Sequence, residues 1–189
     1  MNFCIRQADQ NDAAALAEIL TRSWKETYAH ILPPAELESA ADKERYADVF
    51  TVMAQNPANT FYIAHCGGIP CGMLLLCPAR DTDLPGFAEI VALYTLQKYW
   101  GCGLGRMLAE RALGEMQQRY TGAALWVFQD NARARRFYEK FGFTPDGKQK
   151  QENFSNKPQS VRYAKSFDST TFIPCKGMPS PKHLPPDAE

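Results

Sequence analysis

The stretch YWGCGLGRML, residues 99–108, places glycines at the alternate positions 101, 103 and 105. It follows the apolar run AEIVALYTL (88–96) and precedes a helical pattern, so it predicts a strand, a turn and a helix. Backbone N–H groups at a helix start attract anions, and glycines let a phosphate approach closely. The stretch therefore predicts a phosphate-binding turn. The alternative, a tight turn with close helix–strand packing, explains one glycine more easily than three.

Two common nucleotide motifs do not match this turn. A Walker loop needs Gly-Lys-Ser/Thr, whereas Arg106 follows Gly105 here. A Rossmann fingerprint has the spacing G-x-G-x-x-G, whereas this turn has G-x-G-x-G. The phosphate would therefore belong to a different class of ligand.

The composition is that of one globular domain. The 189 residues are 45% hydrophobic and 22% charged. Lys plus Arg and Asp plus Glu both number 21, so no net field attracts nucleic acid or an anionic membrane. We find no secretory signal and no apolar run long enough to span a membrane. Six scattered cysteines favour reduced thiols in a cytoplasmic protein, and the isolated histidines predict no metal site.

The order of predicted elements divides the chain into two parts. Residues 1–167 read as a strand, three helices, a hairpin, the strand–glycine–helix unit, a strand, a short helix and two last strands. Residues 168–189 are rich in proline and are predicted to form a flexible tail. Phe172 and Ile173 make docking of this tail onto the domain the alternative.

Two segments resemble motifs of the GNAT superfamily of acyl-CoA-dependent N-acetyltransferases. LYTLQKYWGCGLGRML (93–108) is similar to the family's pyrophosphate motif, with Trp100 where Arg or Gln is usual. LWVFQDNARARRFYEKFGF (125–143) is similar to a later motif through Asn131, Ala134, Tyr138, Gly142 and Phe143. The resemblance implies an α/β (α+β) fold, with a mixed, mostly antiparallel central sheet flanked by helices and splayed between strands 4 and 5.

The resemblance also implies how acetyl-CoA, the co-substrate, would be held without a metal. The pantetheine arm would pair with the strand backbone at Leu93, Tyr94 and Thr95, and an N–H near Tyr94 would polarise the thioester carbonyl. Trp100 would pack beside the turn, because indole carries no charge for a phosphate. The pyrophosphate would accept hydrogen bonds from the N–H groups of Gly101, Cys102, Gly103, Leu104, Gly105 and Arg106. Arg133, Arg135 and Arg136 would approach the 3′-phosphate or form an exposed face.

Three further residues carry chemical roles by the same resemblance. Asn131 would contact the coenzyme, a role compatible with capping its helix. Tyr138 would be the general acid for the leaving thiolate, with a core aromatic as the alternative. Glu89 stands in an otherwise apolar strand, where an unpaired buried carboxylate would be costly. It would be the general base or an amine-binding group; alternatively it is a strand-end residue in solvent.

Acceptor recognition is expected from the first helices. Trp24 and Tyr28 are four residues apart, so they share one helix face and could line a substrate pocket. A helix core stripe is the alternative interpretation. The acidic residues Glu36, Glu38, Asp81 and Asp83 could attract a cationic amine or simply form a solvated surface.

The sequence therefore predicts an acetyl-CoA-dependent N-acetyltransferase. The acceptor would be a primary amine, either a small molecule or a polyamine, and it would attack the thioester directly in a ternary complex. A protein N-acetyltransferase and a non-catalytic acyl-CoA-binding module are the alternatives. Neither nucleic acid nor membrane is an expected partner, and a homodimer is compatible with the sequence.

Overall fold

The computed structural model describes residues 1–167, so the predicted tail at 168–189 lies outside the described residues. Two short 3₁₀ turns, Gln10–Asp12 and Gln97–Tyr99, accompany twelve longer elements. The strands are β1 (Phe3–Gln7), β2 (Thr60–Cys66), β3 (Ile69–Pro78), β4 (Phe87–Thr95), β5 (Gly122–Phe128), β6 (Thr144–Gln151) and β7 (Gln159–Ser166). The helices are α1 (Ala13–Tyr28), α2 (Pro34–Ala40), α3 (Lys43–Met53), α4 (Leu104–Arg119) and α5 (Ala132–Glu139).

The strands form a single mixed sheet in the order β1-β2-β3-β4-β5-β7-β6. Neighbouring strands are antiparallel except for β4 and β5, which are parallel. The expected fold class, a mostly antiparallel sheet flanked by helices, is therefore confirmed.

Helices cover both faces of the sheet at its centre. Every β3 residue from 71 to 77 is buried, although alternate side chains point to opposite faces. α1 and α4 both contact β3 and β4, and α3 packs on α1. At Gly72 a Cβ would lie 3.1 Å from the Leu104 and Leu108 side chains, so this glycine lets α4 approach β3 closely. The resulting core supports one edge of the functional site.

The start of α1 follows its sequence signal with one refinement. An acidic residue three positions after Asp9 is the sequence pattern of a capping box; Asp9 and Asp12 form it reciprocally, but they close the 3₁₀ turn that precedes α1 rather than α1 itself. None of the helices in residues 1–167 is long and apolar enough to cross a membrane.

The sheet opens between β4 and β5, as expected. Parallel pairing joins only residues 87–89 of β4 to residues 122–124 of β5. Beyond this point the two strands separate, and residues 90–95 line a pocket together with residues 126–128. Strand pairing therefore ends where the pocket begins.

Candidate active site

The glycine turn leaves open space in front of its backbone. Gly101 and Gly103 have φ angles of +76° and +85°, which side chains other than glycine rarely adopt. A Cβ at either position would have no atom within 4 Å. Gly105 lies in the first turn of α4, and a Cβ there would meet only the Phe137 ring, 3.6 Å away. Helix–strand packing therefore does not account for these glycines: the positive φ angles account for Gly101 and Gly103, and the space beside these two positions is open.

Most amides of this turn have no hydrogen-bond partner among residues 1–167. The first helical hydrogen bond of α4 runs from the Met107 N–H to the Gly103 carbonyl. The Cys102 N–H donates to the Tyr99 carbonyl at 3.3 Å, so the expectation that Cys102 offers a free donor is not met. The Leu104 side chain is fully buried in the core, and only its backbone faces the turn. Amides without an acceptor among residues 1–167 belong to Gly101, Gly103, Leu104, Gly105 and Arg106.

Two arginines lie at this end of the pocket. Arg106 is exposed and donates to Glu110 at 2.7 Å. Arg133 stacks on Trp100, with its Cζ 3.3 Å from the centre of the indole ring. Burial lowers the pKa of Arg133, which has no carboxylate partner among the described residues. The turn therefore combines unbonded amides with one guanidinium that is free to pair with an anion.

Trp100 packs beside the turn and orients this arginine. Its indole N–H donates to the Thr95 carbonyl at 2.9 Å, which holds the ring in place. The other arginines of the ARARR segment do not line the pocket. Arg135 donates to the Tyr163 hydroxyl and the Gln129 carbonyl, both at 3.0 Å. The stacking of Arg133 on Trp100 has no signal in the sequence, because the two residues belong to different elements.

The open edge of β4 offers alternate backbone groups. The Leu96 N–H donates to the Cys71 carbonyl, and Tyr94 lies opposite Met73 in the same register. Antiparallel pairs alternate between bonded and non-bonded, so Tyr94 directs its amide to β3. Leu93 and Thr95 direct theirs to the pocket. The free amide that sequence analysis assigned near Tyr94 therefore belongs to Leu93 or Thr95.

The helix α5 contributes Asn131 and Tyr138 to the pocket wall. Asn131 caps α5 by accepting a hydrogen bond from the Ala134 N–H at 3.1 Å, and the residue is buried. The Tyr138 ring packs edge-on against Phe137 and Phe143. Burial raises the pKa of Tyr138, and nearby Tyr94 acts in the same direction. Tyr138 therefore stays protonated at neutral pH, and its hydroxyl has no hydrogen-bond partner in residues 1–167.

The other end of the pocket is aromatic. Trp24 and Tyr28 meet edge-on with their ring centres 5.7 Å apart, and Phe128 contacts the opposite side of Tyr28. The hydroxyls of Tyr28 and Tyr94 share a hydrogen bond of 2.9 Å. The buried indole N–H of Trp24 lies near Tyr94, but it forms no hydrogen bond of acceptable geometry with any residue of 1–167. Trp24 and Tyr28 therefore serve both as core packing and as pocket lining.

Glu89 lies elsewhere. Glu89 is only 3% exposed, and its carboxylate accepts hydrogen bonds from the Arg80 guanidinium at 2.6 and 3.0 Å. It pairs across the sheet with Cys77 and Ala124 and does not line the pocket. Neither sequence interpretation, a base in the cleft or a strand end in solvent, matches this buried ion pair. A buried carboxylate has to be paired, and Arg80 supplies the partner.

The acidic residues expected to attract an amine have other partners. Asp81 and Asp83 bind Arg162, at 3.1 and 2.7 Å. Glu38 pairs with Lys25, and Glu36 accepts hydrogen bonds from the Ser155 backbone and hydroxyl. None of these carboxylates lines the pocket.

Among residues 1–167, the one carboxylate that lines the pocket belongs to Glu152, and sequence analysis did not identify it. Glu152 follows β6 and lies in the connection to β7, where Phe154 also faces the pocket. A phenylalanine within the polar stretch KQENFSNKP was the available signal, because an isolated aromatic residue in a polar loop indicates a contact. No group of three or more His, Cys, Asp or Glu in residues 1–167 could hold a metal ion.

Comparison with known proteins agrees with this geometry. The model of the Acetyltransferase (GNAT) family matches residues 13–143, which is more than half of the chain. A Mycobacterium tuberculosis protein named as a probable N-acetyltransferase is 29% identical over 160 residues. That match covers 84% of this chain and 87% of the relative.

Solved structures share the fold. The PaiA N-acetyltransferase of Thermoplasma acidophilum, in complex with coenzyme A, superposes with a TM-score of 0.69 at 24% identity. The match covers 88% of this chain and all of that one. A GNAT-family acetyltransferase of Streptococcus pneumoniae gives a TM-score of 0.68 at 20% identity, with coverages of 88% and 100%. Together with the family match and the named relative, the splayed sheet and glycine turn lead to one conclusion: the chain belongs to the acetyltransferase (GNAT) family and is an acetyltransferase.

Proposed function

We propose that this protein is an acetyl-CoA-dependent N-acetyltransferase whose acceptor is a small molecule with a primary amine. The observation that carries the proposal is one pocket of about 500 Å³ with chemically different ends. Unbonded amides and Arg133 lie at one end, and aromatic rings with Glu152 lie at the other. A volume of this size is typical of small-molecule sites.

The glycine-turn end suits the pyrophosphate of the coenzyme. Free amides at the start of α4 would donate to the phosphate oxygens, where the helix dipole also favours negative charge. The Arg133 guanidinium adds a positive charge without a competing ion pair. The coenzyme A complex of the Thermoplasma relative, which shares the fold, agrees with this assignment.

The middle of the pocket has the groups that acetyl transfer requires. The amides of Leu93 and Thr95 would hydrogen-bond the pantetheine arm and polarise the thioester carbonyl. The acceptor nitrogen, as the neutral amine, would form a bond to the carbonyl carbon as the carbon–sulfur bond breaks, and the proton that the nitrogen loses would pass to solvent water, from which Tyr138 is reprotonated after turnover. Tyr138, protonated and without a competing partner, would then give its proton to the departing thiolate.

The connection between β6 and β7 borders the acceptor end of the pocket, and this arrangement favours small substrates. The connection between β6 and β7 is hydrogen-bonded to α2 and to the segment before α2. Ser155 donates to the Glu36 carboxylate from its N–H at 2.9 Å and from its hydroxyl. The Asn156 side chain donates to the Ile31 carbonyl at 2.7 Å. A loop held by these bonds beside the pocket would leave less room for an extended peptide than for a small amine.

An acceptor screen tests the proposal. The purified full chain is supplied with acetyl-CoA and with three panels of acceptors: polyamines, amino-acid-derived amines and short peptides with free N-termini. Release of free thiol is measured. We expect saturable turnover with a small amine at a kcat/KM above that of every peptide. A peptide as the best acceptor would overturn the small-molecule assignment.

Two glycines of α4 provide a matched pair for coenzyme binding. Gly105→Val introduces a side chain into the pocket without backbone strain, and we expect it to abolish acetyl-CoA binding measured by calorimetry. Gly114→Ala lies two turns further along the same helix, where a Cβ meets no atom within 4 Å. It should preserve binding and raise the melting temperature slightly. Equal affinity in both variants would contradict the placement of the pyrophosphate.

A further inference from the structure

We infer that Glu152 binds the acceptor as a cation and so selects aliphatic amines that carry a positive charge. This inference rests on the proposed function and names the substrate class of the same site. Glu152 is the one carboxylate among the described residues that line the pocket. The cations of the pocket lining, Arg106 and Arg133, lie at the glycine turn. The pocket is therefore negative where the acceptor enters and positive where the phosphates bind.

The position of Glu152 is held by its own loop. Its N–H donates to the Pro158 carbonyl at 3.0 Å, and its carbonyl accepts from the Phe154 N–H at 2.9 Å. Further along the loop, Ser155 is hydrogen-bonded to Glu36 of α2, and Asn156 to Ile31 in the segment before α2. Because these bonds hold the loop, the backbone of Glu152 has a defined location beside the pocket.

Glu152 is close to the aromatic residues of the acceptor end. Burial raises the pKa of Tyr28 well above its ordinary value, and Tyr94, Tyr138 and the negative charge of Glu152 contribute in the same direction. Trp24, Phe128 and Phe154 pack against the buried cluster that contains Tyr28. An alkyl amine would place its chain against these rings and its ammonium at the carboxylate.

The Glu152 carboxylate forms an ion pair with an ammonium group of the protein. The Lys150 Nζ lies 3.4 Å from a carboxylate oxygen of Glu152, and the two side chains are 46% and 27% exposed. Exposed ion pairs contribute at most about 1 kcal/mol, so an incoming ammonium can replace Lys150. The Glu152 carboxylate therefore accepts an ammonium group in the protein itself, and Lys150 competes with the acceptor for this carboxylate.

The test compares Glu152→Gln with the parent enzyme on the best amine found in the screen. We expect the KM for the amine to rise about 10-fold or more, since a charge-assisted hydrogen bond is lost. The affinity for acetyl-CoA should stay within about twofold. Lys150→Gln should lower the same KM, because the competing ammonium is gone. Glu44→Gln, an exposed change on α3, serves as the control and should leave all parameters unchanged.

A second acceptor separates binding of charge from loss of structure. With a hydrazide, which is neutral at pH 7, Glu152→Gln should leave the KM unchanged. An equal rise in KM for the charged amine and the hydrazide would overturn the inference, as would an unchanged KM for both. If none of the amines tested makes the parent enzyme release thiol from acetyl-CoA, the proposed function fails instead, so the two failures are distinguishable.

Discussion

Replacing Arg133 by glutamine removes the guanidinium that stacks on Trp100 at the glycine turn. The Cζ of Arg133 lies 3.3 Å from the centre of the Trp100 ring, and Trp100 is itself held by the Thr95 carbonyl. We expect Arg133 to contact a coenzyme phosphate and Trp100 to act through Arg133. The motif position that usually carries a charged or amide side chain would then be served by an arginine from α5.

The expected magnitudes follow from these two contacts. A hydrogen bond to a charged group contributes about 1.5–3 kcal/mol, so Arg133→Gln should raise the Kd of coenzyme A about 10- to 150-fold. Stacking of a cation on an indole contributes about 0.5–2 kcal/mol, so Trp100→Leu should raise the Kd about 2- to 30-fold. The double variant should bind no more weakly than Arg133→Gln alone, because the tryptophan has no other route to the phosphate.

Calorimetric titration with coenzyme A and with dephospho-coenzyme A measures these effects. If Arg133 contacts the 3′-phosphate, the variant loses affinity for coenzyme A alone; if it contacts the pyrophosphate, affinity for both ligands falls. Arg136→Gln is the matched control. Arg136 lies exposed on the same helix and outside the pocket, so its Kd should stay within about twofold.

Two results would refute this reasoning. The first is a Kd for Arg133→Gln within about twofold of the parent at low salt. The second is additivity of the two substitutions in the double variant, which would mean that Trp100 contributes independently of Arg133. Melting temperatures of all variants are recorded beside the titrations, because a loss of fold would also weaken binding.

Three further predictions concern catalysis and stability. Tyr138→Phe should lower kcat about 100-fold or more while coenzyme affinity and melting temperature change little, because the hydroxyl bonds to no described residue. Glu89→Gln should keep kcat within about twofold, because its carboxylate is bound by Arg80 away from the pocket. Burial, aided by the charge of Glu89, raises the pKa of Cys77 to about 12. The unfolded thiol ionises near pH 8.5, so above that pH the free energy of unfolding should fall by up to about 1.4 kcal/mol per pH unit. Cys77→Ala should remove this part of the slope.

Each of these predictions has a contrary result. A Tyr138→Phe enzyme with parental kcat, while chemistry limits the rate, would make Tyr138 a core aromatic residue. A large drop in kcat for Glu89→Gln, with stability preserved, would return Glu89 to the mechanism. For the thiol, denaturant titrations between pH 8.5 and 10.5 decide the question. Cys102→Ala, an exposed change, should keep the parental slope, and a Cys77→Ala slope equal to it would contradict the assignment.

The elements that short sequence patterns specify were predicted well. Glycines at 101, 103 and 105, the Asp9 and Asp12 cap, and the apolar run of β4 each act through backbone sterics or bonds between near neighbours. Such interactions do not depend on distant parts of the chain. The strand–turn–helix unit could therefore be derived from the sequence, and the mixed sheet was predicted from the resemblance of its two motifs to the GNAT family.

The partners of charged side chains could not be derived in this way. Arg80 binds Glu89, and Arg133 stacks on Trp100. Glu152 lines the pocket between β4 and β5, and residues 90–95 of β4 in this pocket are far from Glu152 in the sequence. Each of these contacts joins different elements, and charge alone does not reveal which carboxylate is sealed and which is accessible. The sequence by itself determined the glycine turn and, through the resemblance of its two motifs, the fold class. Only the tertiary structure decided which carboxylate lines the pocket, because burial and pairing arise when distant segments pack together.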